Sequence, residues 1–211
     1  MAQILVFGDS IAYGAWDKEG GWVSRLRKFI DEKNLTDPDF ECLIYNLGVS
    51  GDTTEDLLER FEFELEQRLD EEMETILIFS IGVNDSQFVK SKYSIKIPQE
   101  KFRANLEELI TAAKKYSSKI IFVGLWPVNE EKTNPVSWDE DKFYKNDSIR
   151  NYSNVIKTIC EKNQVHFIDL FGLLLKEDYK KLLEDGLHPN SQGHQKFFEI
   201  IRDFLAENKI V

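Results

Sequence analysis

The chain has 211 residues, of which 42% are hydrophobic, and its 15 Phe, 7 Tyr and 4 Trp supply bulky material for a core. Its formal net charge of −11 argues against a nucleic-acid partner, which requires a basic face, and it disfavours binding to anionic lipid surfaces. We therefore expect a single domain over residues 1–211 that needs neither a disulfide nor a metal to fold.

Two kinds of segment alternate along the chain. Continuous apolar runs are typical of strands that are covered on both faces. They lie at residues 4–7, 42–47, 75–81, 119–125 and 165–170. Apolar residues at helical spacing follow each run, as at Leu57, Phe61 and Leu65 after the second. This order predicts an α/β fold, in which a central parallel sheet of about five strands lies within a three-layer α/β/α sandwich.

Capping residues mark the start of two predicted helices. Short polar side chains at such positions accept hydrogen bonds from the first free backbone N–H groups of a helix. Asp52, Thr53 and Thr54 precede the second predicted helix. Ser191 precedes the last one and is its expected cap.

The longest stretch without a regular pattern is WPVNEEKTNPVSWDEDK, at residues 126–142. It follows the fourth predicted strand and contains Trp126 and Trp138. Aromatic side chains beyond a strand end are typical of ligand pockets, so both residues are candidate substrate-binding residues. Packing of the two indoles beneath a surface loop is the alternative.

Small polar residues cluster where the predicted strands end. In a parallel sheet flanked by helices, ligands bind beyond the carboxyl ends of the strands. The segments that combine glycine with small polar side chains there are GDS (8–10), NLGVSGDTT (46–54), IGVNDS (81–86) and EDGLHPNSQGH (184–194). Turns could equally have used Lys, Glu or Pro, so this clustering indicates a functional site.

Acyl transfer through a serine requires a nucleophile, a base, a group that orients the base and donors for the oxyanion. Ser10 offers a hydroxyl at the end of the first strand. His188 is the candidate base, because the following proline restricts it to an extended conformation and Asp185 can reach its imidazole. His166 lies in an apolar strand and is interpreted as a core or edge residue. His194, at helical spacing in the last helix, is interpreted as a solvated or packing residue.

Three neutral N–H groups at the strand ends are candidate donors for the oxyanion. They are the backbone N–H groups of Ser10 and Gly51 and the side-chain amide of Asn84. Gly51 lies at the start of a predicted helix, where the helix dipole also favours negative charge.

Four of these segments resemble, in chain order, conserved blocks of the SGNH hydrolase superfamily, also called GDSL lipases and esterases. They are GDSI (8–11), NLGVSGDTT (46–54), GVND (82–85) and DGLHPN (185–190). The resemblance spans nearly the whole chain, with Ile11 in place of the leucine of the family name. It implies a flavodoxin-like SGNH hydrolase fold that hydrolyses small-molecule acyl esters or thioesters with no metal or cofactor. It also implies Ser10, Asp185 and His188 as catalytic residues, with Gly51 and Asn84 in the oxyanion hole.

Two other classes of function remain open. One is a metal-dependent phosphoesterase that would use Asp9, Asp85, Asp185 and His188 as hard ligands. The other is a non-catalytic ligand-binding module on the same fold. The chain opens MAQILVFGDS without a signal-peptide pattern, and no apolar run approaches the roughly 20 residues of a membrane helix. We therefore expect a cytoplasmic protein with no stable membrane insertion.

Overall fold

A computed structural model describes residues 1–210 of the chain. The strands within this range are β1 (Ala2–Gly8), β2 (Cys42–Gly48), β3 (Glu74–Ser80), β4 (Phe88–Val89), β5 (Ser94–Ile95), β6 (Lys119–Val123), β7 (Lys142–Phe143) and β8 (His166–Ile168). The α-helices are α1 (Ser10–Tyr13), α2 (Gly21–Thr36), α3 (Thr54–Glu66), α4 (Gln99–Ala113), α5 (Glu130–Thr133), α6 (Asn146–Asn163), α7 (Leu170–Leu174) and α8 (Ser191–Glu207). Short 3-10 helices cover Lys90–Lys92 and Tyr179–Leu182.

The central sheet confirms the predicted parallel architecture. Its strands lie in the order β2-β1-β3-β6-β8, and all neighbouring strands are parallel. β1 lies between β2 and β3, and its residues 4–7 are fully buried. A strand that is covered on both faces needs apolar residues at every position, which explains the continuous apolar run in the sequence.

Helices cover both faces of this sheet. The crossover through α2 leads from β1 to β2, whereas those through α3, α4 and α6 lead in the opposite direction across the sheet. Because such crossovers are right-handed, the two directions place their helices on opposite faces. α8 packs beside α2, and α4 packs between α3 and α6. The predicted three-layer α/β/α sandwich is therefore confirmed.

Aromatic rings join the strands of the sheet to one helix layer. Phe7 pairs in register with Phe79, and Phe79 with Phe122, so their rings stack across β1, β3 and β6 at centroid distances of 5.8 and 4.8 Å. Phe61 of α3 lies edge-on to Phe7, at 5.0 Å. This packing fixes α3 over the middle of the sheet.

The helix caps agree with the sequence at α3 and differ at α8. Thr53 caps α3 and forms a reciprocal capping box with Asp56. The expected cap at Ser191 is wrong by one residue. Asn190 caps α8 because its side-chain oxygen accepts the Gly193 N–H at 3.0 Å, whereas Ser191 is the first helical residue.

A second, small sheet was not predicted. It contains β5, β4 and β7 in that order, and its strands are antiparallel. Each strand has two residues, too few to show a period in the sequence. The stretch 126–142, expected to be irregular, contains α5 and begins β7 at its last residue. Within residues 1–210, none of the helices combines the length and apolar character that crossing a membrane requires.

Gly48 lets the end of β2 approach the turn that follows β1. A Cβ atom at this position would lie 2.3 Å from the backbone nitrogen of Tyr13 and 2.9 Å from the backbone oxygen of Asp9. The Asn46 side chain fixes the same contact by donating to the Ala12 carbonyl at 2.8 Å. The position of the turn around α1 therefore depends on a residue without a side chain.

We expect Gly48→Ala to lower the free energy of unfolding by about 1–3 kcal/mol, because the added methyl meets backbone atoms that cannot rotate away. Urea unfolding followed by circular dichroism measures this change. An unfolding free energy within about 0.5 kcal/mol of the unchanged chain would show that β2 can shift at no cost, contrary to the prediction.

Candidate active site

Three predicted site residues from distant parts of the chain meet beyond the carboxyl end of β1. Ser10 Oγ lies 3.0 Å from His188 Nε2, and His188 Nδ1 lies 2.7 Å from Asp185 Oδ2. The Ser10 and His188 side chains are buried. Hydroxyl, imidazole and carboxylate thus form one continuous hydrogen-bonded chain, the arrangement that activates a serine for nucleophilic attack.

The turn after β1 positions Ser10 at the first residue of the one-turn helix α1. Asp9 caps this helix, since its Oδ1 accepts the Ile11 N–H at 3.0 Å. Gly14 ends the helix with a φ of 98° and donates its N–H to the Ser10 carbonyl. Glycine is required there because the conformation is left-handed and a Cβ would lie 2.3 Å from the Gly20 carbonyl oxygen.

A tight turn holds Asp185 against His188. Asp185 Oδ1 accepts the backbone N–H groups of Leu187 and His188 at 2.9 and 2.8 Å, which leaves Oδ2 for the imidazole. Burial acts to raise the pKa of the Asp185 carboxyl, but these hydrogen bonds and the nearby imidazole outweigh it, and the pKa is lowered. The carboxyl is therefore ionised at neutral pH and can stabilise a protonated imidazole.

Gly51 and Asn84 follow the two strands that flank β1. Gly51 has a φ of 88°, a left-handed conformation that favours glycine. Asn84 donates from Nδ2 to the Asp52 backbone oxygen at 3.0 Å. Arg60 joins this loop to β1, because its guanidinium donates to the Asp52 carboxylate at 2.7 Å and to the Gly8 carbonyl at 3.1 Å.

A cavity of about 500 Å³ opens over these groups. The predicted residues that line it are Ser10, Gly51, Asn84, Trp138 and His188. Residues that line it and were not predicted to form the site are Trp16, Ser50, Lys142, Tyr144 and Leu187. The predicted groups thus face one space, with two exceptions. Asp185 lies behind His188, and Trp126 lies outside the lining.

The two predicted tryptophans lie in different surroundings. Trp138 is 48% exposed, and its ring lies 5.8 Å from that of His188. Trp126 lies outside the cavity lining and is buried against Phe197. Its Nε1 donates to the Leu187 carbonyl at 3.1 Å, so it supports the turn before His188.

Sequence reasoning missed Trp16 as a site residue. Its side chain is 70% exposed, and its ring lies 5.9 Å from that of His188. Its position in the loop after α1, beyond the end of β1, is the signal that could have identified it. Trp16 and Trp138 both flank His188.

The other histidines have packing and edge positions. His194 is buried; it accepts the Trp22 N–H at 3.3 Å and donates to the Ala15 carbonyl at 3.2 Å. Burial lowers its pKa, so it packs as a neutral ring. His166 is exposed on β8, the edge strand of the sheet.

Two buried aspartates, Asp9 and Asp85, lie beside the site. Asp85 accepts the Thr54 N–H and hydroxyl at the start of α3. Asp9 Oδ2 has no hydrogen-bond partner among residues 1–210. Burial raises the pKa of Asp85 to about 6 and that of Asp9 to about 7, and in both cases hydrogen bonds offset part of the effect.

The ligands named for the metal-dependent alternative are Asp9, Asp85, Asp185 and His188. In the part of the chain that the structure describes, no group of three or more His, Cys, Asp or Glu side chains could hold a metal ion. The Asp85 and Asp185 carboxylates instead accept hydrogen bonds from α3 and from the His188 turn.

Comparison with known proteins finds relatives over nearly the whole chain. The model of the GDSL-like Lipase/Acylhydrolase family matches residues 6–196. The human isoamyl acetate-hydrolyzing esterase 1 homolog is 25% identical over 99% of this chain and 82% of its own length. An acetylxylan esterase of Geobacillus stearothermophilus is 27% identical over 81% of this chain and 74% of its own. A lipase/acylhydrolase structure from Enterococcus faecalis has the same fold, with a TM-score of 0.76, 23% identity, and coverage of 99% of this chain and 97% of that one.

Asp9→Asn should reduce the loss of folding stability that accompanies a rise in pH. Burial raises the pKa of Asp9 from 3.8 to about 7, so ionising it costs more in the folded protein than in the unfolded chain. Its destabilising contribution is absent below pH of about 4 and grows as the pH rises to about 7. The free energy of unfolding of the variant, minus that of the unchanged chain, should therefore increase by about 1–3 kcal/mol between about pH 5 and about pH 8.

Urea unfolding at a series of pH values measures this gain. Asp39→Asn, which changes an exposed carboxyl, is the matched control and should give the same difference from the unchanged chain at each pH. Equal pH dependence in Asp9→Asn and in the unchanged chain would contradict the prediction.

Proposed function

This chain belongs to the GDSL-like lipase/acylhydrolase family and is a carboxylic ester hydrolase, and we propose that it is a serine esterase that forms an acyl-enzyme on Ser10. The observation that carries the proposal is the hydrogen-bonded chain from Ser10 Oγ through the His188 ring to Asp185 Oδ2. His188 is the general base and general acid. Asp185, whose pKa is lowered, fixes the ring orientation and stabilises its protonated form.

Acylation transfers the acyl group to Ser10. His188 Nε2 accepts the hydroxyl proton as Oγ attacks the ester carbonyl carbon. The oxyanion of the tetrahedral intermediate accepts hydrogen bonds from the backbone N–H groups of Ser10 and Gly51 and from the Asn84 amide. The carbon–oxygen bond to the alcohol then breaks, and His188 gives its proton to the leaving alkoxide.

Deacylation repeats these steps with water. His188 accepts a proton from water as the water oxygen attacks the acyl-enzyme carbonyl. The bond to Ser10 Oγ breaks, Oγ recovers the proton from His188, and a carboxylic acid leaves. One water molecule is consumed for each ester, and the enzyme returns to its starting state.

The surroundings of His188 indicate where the alcohol lies. Because His188 protonates the leaving oxygen, the alcohol must lie against this ring. The exposed rings of Trp16 and Trp138 lie 5.9 and 5.8 Å from that of His188, so the alcohol lies beside these two indoles. The cavity of about 500 Å³ suits a small ester. The names of two relatives both specify acetate or acetyl esters, which supports a short acyl group here.

A fluorophosphonate should label the unchanged chain once, because an activated serine displaces fluoride and forms an Oγ–phosphorus bond. Intact mass should show no adduct on Ser10→Ala, and its turnover of p-nitrophenyl acetate should fall at least about 1,000-fold. Ser50→Ala removes another hydroxyl that lines the cavity and is the matched control, which should still take up one adduct. An adduct on Ser10→Ala, or none on the unchanged chain, would refute the assignment of the nucleophile.

We expect Trp16→Ala and Trp138→Ala each to lower kcat/KM for isoamyl acetate about tenfold relative to ethyl acetate, because the larger alcohol loses an apolar contact. The ratio between two acetates isolates the alcohol, since the acyl group and the chemical steps are the same. Tyr93→Ala removes an exposed ring outside the cavity lining and should leave the ratio unchanged. An unchanged ratio in both tryptophan variants would place the alcohol elsewhere.

A further inference from the structure

The small antiparallel sheet ends beside the candidate oxyanion hole. β4 pairs with β7 through Phe88 and Phe143, so Gln87 and Tyr144, the next residues outward, lie opposite each other. Gln87 Nε2 donates to the Tyr144 hydroxyl at 3.0 Å. Both residues are only 3% exposed, so water does not compete for this hydrogen bond. The sheet therefore holds a phenol in a fixed place.

The Tyr144 hydroxyl lies 3.1 Å from Asn84 Oδ1 and donates its proton to it. The phenol oxygen already accepts a hydrogen bond from Gln87. Its single proton is therefore free to point to Asn84 Oδ1. This bond identifies Oδ1 as the acceptor atom of the Asn84 amide and fixes its orientation. Nδ2 donates one N–H to the Asp52 carbonyl and retains a second for the oxyanion.

Tyr144 is itself held firmly. Its backbone N–H donates to the Thr133 carbonyl, and the Thr133 hydroxyl donates to the Tyr144 carbonyl, both at 2.9 Å. Burial, with the charges of Asp9, Asp139 and Asp185, holds the pKa of the Tyr144 phenol above its usual range. The hydroxyl thus remains a donor throughout the pH range in which an esterase works.

We propose that Tyr144 is a positioning residue that orients the Asn84 amide toward the oxyanion, and that the β5-β4-β7 sheet serves to hold it there. The inference rests on the proposed esterase function. An amide turned by 180° would bring Oδ1 against the Asp52 carbonyl oxygen and remove the N–H that the oxyanion needs. Tyr144 acts only through Asn84 and takes no part in the chemical steps.

Kinetics of Tyr144→Phe test this role, with p-nitrophenyl acetate as substrate. The variant should lower kcat about tenfold and leave KM within about twofold, because the lost orientation affects the transition state more than substrate binding. Tyr152→Phe is the matched control. Tyr152 is also buried, and its hydroxyl donates to the Ile97 carbonyl outside the cavity lining. That variant should keep the kcat of the unchanged chain even where its stability falls.

A double-mutant cycle separates positioning from direct contact with substrate. In an Asn84→Ala background, Tyr144→Phe should cause no further loss of kcat, because its target is gone. A loss that persists in this background, or a kcat for Tyr144→Phe equal to that of the unchanged chain, would overturn the proposal.

A second variant keeps the test decisive if Tyr144→Phe fails to fold. Gln87→Met preserves the side-chain volume, removes the donor to the phenol, and should lower kcat only where Asn84 is present. An equal loss of kcat with and without Asn84 would again overturn the positioning role. Failure of the esterase function itself would be distinguishable, since the fluorophosphonate adduct on Ser10 would then be missing from the unchanged chain.

Discussion

The parallel pairing of β1 with β2 and β3 is the constraint on which the site depends. In this register Gly8 lies beside Gly48 on one side and beside Ser80 on the other, so three strands end at the same level. The segments that leave these ends carry Ser10, Gly51 and Asn84 to one edge of the sheet. Arg60 joins the loop after β2 to the end of β1, because it donates to the Asp52 carboxylate and to the Gly8 carbonyl. The burial of the central strands thus fixes the relative positions of groups that lie far apart in the sequence.

Two carboxyl groups near the same imidazole show how the extent of burial and the local donors together set the pKa of a carboxyl group. Asp185 accepts two backbone N–H groups and lies 2.7 Å from the imidazole nitrogen, and its pKa is lowered. Asp9 accepts one backbone N–H and is completely buried, and its pKa rises to about 7. Burial raises the pKa of both carboxyls, but it is complete at Asp9 and only partial at Asp185, where the hydrogen bonds and the imidazole outweigh it. Only Asp185 therefore has the electrostatics that the proposed partner of His188 needs.

The sequence predicted those parts of the molecule that carry a strong local signal. Continuous apolar runs identified the central strands because burial on both faces leaves no choice of residue type. Both Trp126 and Trp138 were candidate substrate-binding residues from the sequence, and the fold buries the first and leaves the second exposed. The Tyr144 contact with Asn84 spans 60 residues and depends on the register of two-residue strands, for which the sequence has no periodic signal.

The placement of Trp16 and Trp138 has an evolutionary consequence. Both indoles are exposed and extend from irregular segments, whereas Ser10 and Asn84 are buried beyond the ends of β1 and β3. Replacing an exposed loop residue usually costs little stability, but replacing a buried, hydrogen-bonded residue costs more. A lineage can therefore exchange the groups around the proposed alcohol site while it keeps the proposed reaction centre.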